Sequence, residues 1–298
     1  MSATNGSSTS RPVVVIGANG QIGYELVRSL APLAPVRALD RKMLDITDTD
    51  AVRATLTALA PVAIVNAAAY TAVDKAEEEA ELAATVNGVA PGILADMAKE
   101  TGACFVHYAT DYVFDGNATR PYRESDPASP ANVYGHTKLA GERAVMEHDG
   151  AAVVLRTCWV YSNRRRNFFL KMRRLARERT LLRVVDDQLG CPTSARFISE
   201  ATAAILSGCG LSAARLRECR GIYHLAASGE TSWCGFARAI VQGSPGCEAV
   251  EIEGISTSEY PTPAKRPAYT ALDTSLLCET FGLCMPDWEL LLAQALGT

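Results

Sequence analysis

Two patterns alternate along the first half of the chain. Short runs are apolar at every position, and longer stretches place apolar residues three or four apart. The first suits a strand buried on both faces of a parallel sheet, and the second a helix with one buried face. Pro12 to Ile16 contains the β-branched run VVVI and is predicted as such a strand, followed by a helix from Gln21 to about Leu30. A strand from Val36 to Leu39 ends at Asp40, Asp48 to Ala60 reads as a helix, and Val62 to Val65 as the next strand. Asn87 to Glu100 is predicted helical, Cys104 to Tyr108 extended, and Asp115 to Pro130 a loop rich in Pro, Asp and Ser. A helix from about Val133 to Glu147 and a strand from Ala152 to Arg156 close this half.

Beyond Thr157 the rhythm loosens. Asn167 to Glu178 and Ala195 to Leu206 read as helices and Leu181 to Val185 as a strand, with further elements at Gly221 to Leu225, Ser232 to Val241 and Trp288 to Leu296. Alternation of strand and helix predicts an α/β fold, a doubly wound parallel sheet (Rossmann) with a smaller mixed C-terminal substrate lobe. The division expected is a flexible tail over residues 1–11, a dinucleotide-binding domain over 12–160, and a mainly substrate-binding lobe with returning sheet elements over 161–298. The tail is polar and lacks the apolar core of a signal peptide.

Composition narrows the function classes. At 48% hydrophobic and 21% charged residues the chain has a globular balance, and its net charge of -4 offers no bulk attraction to nucleic acid or anionic lipid. No apolar run reaches the length of a membrane span. Nine scattered cysteines without a C-x-x-C suit reduced thiols in a cytoplasmic protein, with Cys104 and Cys191 as apolar fillers. Four histidines show no metal-ligand spacing, so no metal site is expected.

Between the first strand and helix lies Gly17-Ala18-Asn19-Gly20-Gln21-Ile22-Gly23, a G-x-x-G-x-x-G turn. Glycines there permit a tight turn and close approach to a pyrophosphate, whose charge meets the helix N-terminus. Asp40, about 20 residues on, suits an adenosine ribose 2′-hydroxyl, whereas Arg41 suits a 2′-phosphate or is a solvated charge, so NADPH or NADH remains open. Asp45 and Ile46 lie in the following loop, and the small residues Ala67, Ala68 and Ala69 end a strand where a cofactor can rest or helix and sheet can pack.

Tyr134 and Lys138 form a Y-x-x-x-K on a predicted helix, where the i, i+4 spacing sets phenol and ammonium on one face. A nearby ammonium favours phenolate, so Lys138 is expected to lower the Tyr134 pKa towards that of a usable acid/base. Thr110 is expected just after the strand that ends at Tyr108, its hydroxyl near a substrate carbonyl or Tyr134. Asp111 and Tyr112 follow on a loop suited to substrate contact. Trp159 reads as core or substrate-facing. The basic group Arg164, Arg165, Arg166, Lys171, Arg173 and Arg174, and likewise Lys265 and Arg266, would meet a nucleotide diphosphate or simply face solvent.

Taken together these residues resemble the extended short-chain dehydrogenase/reductases, and within them the dTDP-4-dehydrorhamnose reductases. The similarity rests on IGANGQIGYEL, LDITD, VNAAAYTAVDKAEEE, ATDYVFDG, PYRESDPASPANVYGHTKLAGE, LRTCWVYS, NFFLKM, VVDDQLGCPTSA, IYHLAASGETSW and KRPAYTALDTSLL, in order along nearly the whole chain. It implies NADPH- or NADH-dependent reduction of the C4 ketone of a dTDP-4-keto-6-deoxysugar, dTDP-4-dehydro-β-L-rhamnose. By motif it implies Thr110, Tyr134 and Lys138 as the catalytic group. Gly20, Gln21, Ile22, Asp40, Asp45, Ile46 and Ala67 to Ala69 would hold the dinucleotide, with Asp111, Tyr112 and Trp159 towards the sugar. Ala109 and Cys158 stand where the family often has serine, which leaves Thr110 the only hydroxyl of its pair. Some members bind Mg²⁺ at a dimer interface through acidic residues after a PTSA-like motif; Arg196 follows that motif here, against a metal. A homodimer is compatible with the resemblance. Two alternatives stand beside this reading: a reductase of another dTDP-4-ketodeoxysugar, and a non-catalytic cofactor-binding regulator like the methionine adenosyltransferase regulatory subunit.

Overall fold

The computed structural model describes residues 11–247 and 249–297. The expected tail, except for Arg11, lies outside the described residues. The Arg11 side chain donates to the carbonyls of Ala60, Pro61 and Thr101, which ties it to the ends of two helices and a connecting loop.

Five parallel strands carry the first half: β1 (Val13–Ile16), β2 (Val36–Leu39), β3 (Ala63–Asn66), β4 (Cys104–Thr110) and β5 (Ala152–Thr157). The strand Gly221–His224 returns from the second half to pair in parallel with β5, and the six run in the order β2, β1, β3, β4, β5, Gly221–His224. Each face of this sheet is covered. Val13 and Val15 enter one apolar core with Leu26, Leu30, Ile198 and Ile205. Val14 and Ile16 enter another with Val52, Leu56, Leu94 and Val145. Fully burying such a side chain contributes about 1.5–3 kcal/mol, which is why VVVI is apolar at every position. Leu181–Val185 and Glu251–Ile255 pair in parallel outside the main sheet. They border a third core built on Phe169, Phe236, Ile240 and Trp288.

The expected helices at 21–30, 133–147 and 288–296 are present with those bounds. Asn167, Ser194 and Ser232, each the residue before a helix, accept a backbone N–H from its first turn. Three differences bear on the site. Strand β4 runs on to Thr110, so Thr110 is its last residue rather than part of the following loop. The short helices Val73–Ala76 and Ala80–Ala84 occupy a stretch whose exposed glutamates gave no apolar period. The helix expected from Asn87 begins at Ala90, after a π-helical turn over Thr85–Val89. Asn87 explains that turn: its amide accepts from Tyr70 N at 2.8 Å and donates to Tyr70 O at 3.0 Å and Thr137 Oγ1 at 3.2 Å. Those bonds fasten the loop after β3 to the helix Val133–Glu147.

That helix is also anchored electrostatically. Glu142 and Arg156 of β5 form a two-pronged ion pair, 3.0 Å and 2.7 Å, with both side chains buried. Removing one partner leaves a buried charge alone, at a cost of about 3–5 kcal/mol. Glu142→Ala is therefore expected to lose about that much stability in a denaturant titration. A loss under about 1 kcal/mol, the range of exposed pairs, would contradict this account.

Candidate active site

A cleft of about 750 Å³ opens at the carboxyl ends of β1, β3, β4 and β5. From β1 the chain moves outward to β2 and then crosses to β3 on the other side, so the cleft stands where the strand order reverses. Crevices at such points are where open α/β sheets bind ligands. Lining it are Gly17, Asn19, Gly20, Gln21, Ile22, Asp40, Arg41, Asp45, Ile46, Ala67, Ala68, Ala69, Thr110, Asp111, Tyr112, Tyr134, Lys138 and Trp159. Gly23 is not among the lining residues, nor are Arg164, Lys171, Arg173, Arg174, Lys265 and Arg266 of the basic groups. A Cβ on Gly23 would fall 2.2 Å from the Gly17 carbonyl oxygen, so this glycine serves helix–turn packing and not ligand contact.

The turn itself is a backbone cradle. Gly17 has φ +78°, and a Cβ on it would lie 2.6 Å from Ala68 N. Gly20 N donates to Gly17 O at 2.8 Å and precedes the helix Gln21–Leu30 without a side-chain cap. The first-turn N–H groups of Gln21 and Ile22 are thus left for a ligand anion, favoured there by the helix dipole. One strand over, Asp40 accepts from the backbone of Lys42 and Met43 through Oδ1 and from the Asn19 amide through Oδ2. Arg41 extends into solvent, 3.7 Å from Asp45. Asp45 is held below the usual carboxylate range, chiefly by hydrogen bonds from Thr47. A cradle that any Cβ would fill, a helix N-terminus and a carboxylate one strand away are what a dinucleotide requires, and the residues present fit one.

Next to this cradle stands a cluster of buried ionisable groups. The helix bearing Tyr134 and Lys138 lies close to the chain after β4 because a Cβ on Gly135 would fall 2.3 Å from Tyr112 O. Tyr134 keeps some surface towards the cleft, but protein surrounds its other sides. Burial pushes its phenol up to about 12; the Thr110 hydroxyl pulls the other way and the Asp111 charge adds to the rise. Lys138 is expected from sequence to lower that pKa, and the structure differs. Its Nζ donates to Tyr108 O at 2.6 Å and lies 3.5 Å from His107 Nε2. Burial brings Lys138 itself down to about 8, against a raising pull from Glu142. His107 is buried beside that ammonium and is kept neutral by burial first and the lysine second.

Asp111 is buried among donors. It accepts from Thr110 Oγ1 at 2.9 Å and Cys158 Sγ at 3.2 Å, while Thr110 Oγ1 also accepts from Tyr112 N at 3.2 Å. Burial still outweighs these bonds and pushes Asp111 up to about 6. Tyr112 meets the Tyr134 ring edge-on, centroids 5.8 Å apart. Trp159 adopts φ +43° and stacks on Trp233, centroids 3.5 Å apart and planes within 5°. A side chain on Gly190 would collide with the Trp159 indole, so that glycine makes room for it. Trp233, Phe168 and Asn167 also line the cleft, and the sequence did not single them out as site residues; of the basic group, Arg165 and Arg166 reach it. The elements expected at Asn167 to Glu178 and Ser232 to Val241 carry Phe168 and Trp233, but the pattern did not show the direction in which these side chains point.

Among the described residues, no group of three or more His, Cys, Asp or Glu side chains is arranged to hold a metal, and no helix is long and apolar enough to cross a membrane. Residues 11–298 match the family model described as the RmlD substrate binding domain. A Burkholderia thailandensis protein named dTDP-4-dehydrorhamnose reductase is 45% identical over 283 residues, covering 93% of this chain and 95% of that protein. One of the same name from Salmonella typhimurium is 42% identical, covering 93% and 94%. Among solved structures, the dTDP-4-dehydrorhamnose reductase of Bacillus anthracis in complex with NADP superposes with a TM-score of 0.87 at 33% identity, covering 96% of this chain and 98% of that one.

The Asp111 environment has a consequence for stability. Because its pKa is raised on folding, the folded protein retains a proton that the unfolded chain has released. The stabilising contribution is complete below the unfolded carboxylate range and is lost as pH rises through about 6. Above that pH the buried carboxylate opposes folding. Asp111→Asn, which stays neutral, is expected to melt at or above the wild-type temperature at pH 7.5, with the difference shifting towards the wild type at pH 5. Calorimetry at both values checks this, and a larger deficit of the variant at pH 7.5 than at pH 5 would contradict it.

Proposed function

We propose that this chain, which belongs to the family of the RmlD substrate binding domain, uses NADPH or NADH to reduce the C4 ketone of dTDP-4-dehydro-β-L-rhamnose, giving dTDP-L-rhamnose. The observation that carries the reading is the meeting of Thr110, Tyr134 and Lys138 with the glycine cradle in one cleft. A cofactor-binding regulator has no need of an acid beside the cradle, which favours the enzyme.

The bound cofactor supplies the hydride that reaches C4. The protein's part is the proton and the geometry. Reduction makes an alkoxide on O4, and Tyr134 is the group to protonate it. Its pKa of about 12 keeps the phenol protonated throughout the neutral range, so the acid is loaded before each turnover. Thr110 stands at the end of β4, where its hydroxyl, by turning its one proton away from Asp111 Oδ1, can donate to the same oxygen. Asp111, ionised above about pH 6, is a candidate acceptor for a sugar hydroxyl. Lys138, within its ammonium range below about pH 8, has N–H groups to offer the nicotinamide ribose. The Trp159–Trp233 stack forms an apolar wall for the deoxysugar.

Loss of NADPH absorbance with the ketosugar tests the reading. Tyr134→Phe removes one hydroxyl and is expected to lower kcat by about 10²–10⁴-fold with cofactor affinity nearly intact. Lys138→Ala is expected to weaken both. Retention of more than about half of kcat by Tyr134→Phe, with chemistry rate-limiting, would assign the proton elsewhere. Binding of NADPH without any turnover of the 4-ketosugar would favour the regulator.

A further inference from the structure

We propose that Arg165 receives the 2′-phosphate of NADPH, so that the second half of the chain, and not Arg41 beside Asp40, adapts the cleft to the phosphorylated cofactor. This rests on reading the cleft as a nicotinamide dinucleotide site.

The segment 162–167 lies as a strap over the glycine-rich turn. Ser162 Oγ donates to Gln21 Oε1 at 2.9 Å, and Asn167 Nδ2 donates to the same oxygen at 2.8 Å. The Arg164 guanidinium lies over the Tyr24 ring, 3.6 Å from its centroid. Between them Arg165 holds φ +61°, a left-handed conformation that residues with a Cβ rarely adopt. Such strain persists only where surrounding contacts impose it, and it gathers at functional positions. Here it aims the side chain across the cleft, where Nε donates to Asn19 O at 2.7 Å.

That bond sets the guanidinium one contact from the position expected to face the ribose. Asn19 bonds the Asp40 carboxylate through its amide and Arg165 through its carbonyl. Asp40 is the residue placed to accept from a 2′-hydroxyl. A 2′-phosphate there meets a carboxylate and needs a cation. Arg41 stands 3.7 Å from Asp45, which already takes up part of its charge; both arginines are exposed, so it is this pairing that sets them apart. Arg165 makes no ion pair among the described residues and commits only Nε. The remaining fork of N–H groups suits two phosphate oxygens at once.

The test is direct titration of the full chain with NADPH and with NADH, followed by fluorescence. Arg165→Asn removes the charge while keeping a residue that tolerates the left-handed backbone. It is expected to raise the NADPH dissociation constant about 10–100-fold, the scale of lost charge-assisted hydrogen bonds, while NADH moves less than about threefold. The same substitution at Arg41 is expected to move both by less than about threefold. NADH affinity also reports that the cleft is folded in each variant. Equal weakening of both cofactors by Arg165→Asn would put the arginine on the pyrophosphate and overturn the assignment. So would no change, or a selective NADPH loss in Arg41→Asn alone. Failure of the wild type to bind either cofactor would overturn the dinucleotide reading itself, an outcome distinct from an Arg165 variant that fails to discriminate.

Discussion

The site depends on one steric constraint, the approach of backbone to backbone where β1 gives way to its helix. Gly17 lies so close to Ala67 and Ala68 that no side chain fits between them, and Gly23 closes on Gly17 from the helix side. This double contact draws the N-terminus of the helix Gln21–Leu30 and the end of β3 to the same edge of the sheet. A cofactor held there lies beside the end of β4, since β3 and β4 pair directly. The remaining chemistry follows from that adjacency. Thr110 ends β4, and Gly135 lets the helix with Tyr134 and Lys138 sit against the chain just beyond it.

A second constraint is the removal of charge from water. Burial displaces Tyr134 upward, Lys138 downward and Asp111 upward, each towards its neutral form. For a reductase this bias is useful. The proton donor stays loaded, and the lysine and aspartate titrate within reach of neutral pH, where small changes of environment reset them. The energetic cost of burying these groups is met elsewhere, by the two apolar cores that clamp the sheet.

What was legible in the chain was what local sterics dictate. VVVI can only be a strand covered on both faces, and glycine at 17, 20 and 23 between strand and helix leaves few other backbone solutions. The i, i+4 spacing of Tyr134 and Lys138 survives in any helix. The partner of Lys138 was not legible, because the Tyr108 carbonyl that accepts its hydrogen bond belongs to another element. The π-helical turn at Thr85–Val89 was hidden for the same reason: Asn87 bends the helix to satisfy Tyr70 and Thr137. Arg165 is 146 residues from Asn19, and in sequence it was one of six basic residues read as meeting a nucleotide diphosphate or facing solvent, with nothing to set it apart from the others. Trp233 likewise becomes part of the cleft only by stacking on Trp159.

The account centres on burial as the force that sets the protonation of the catalytic helix, and the dependence of kcat/KM for NADPH on pH reads it most directly. This ratio reports groups in the free enzyme, where Lys138 sits at about 8. The expected profile falls about tenfold per unit above pH 8, and Lys138→Arg, which stays charged, flattens that limb even if its overall rate is lower. A profile level to pH 9.5, or a falling limb unchanged in Lys138→Arg, would contradict it.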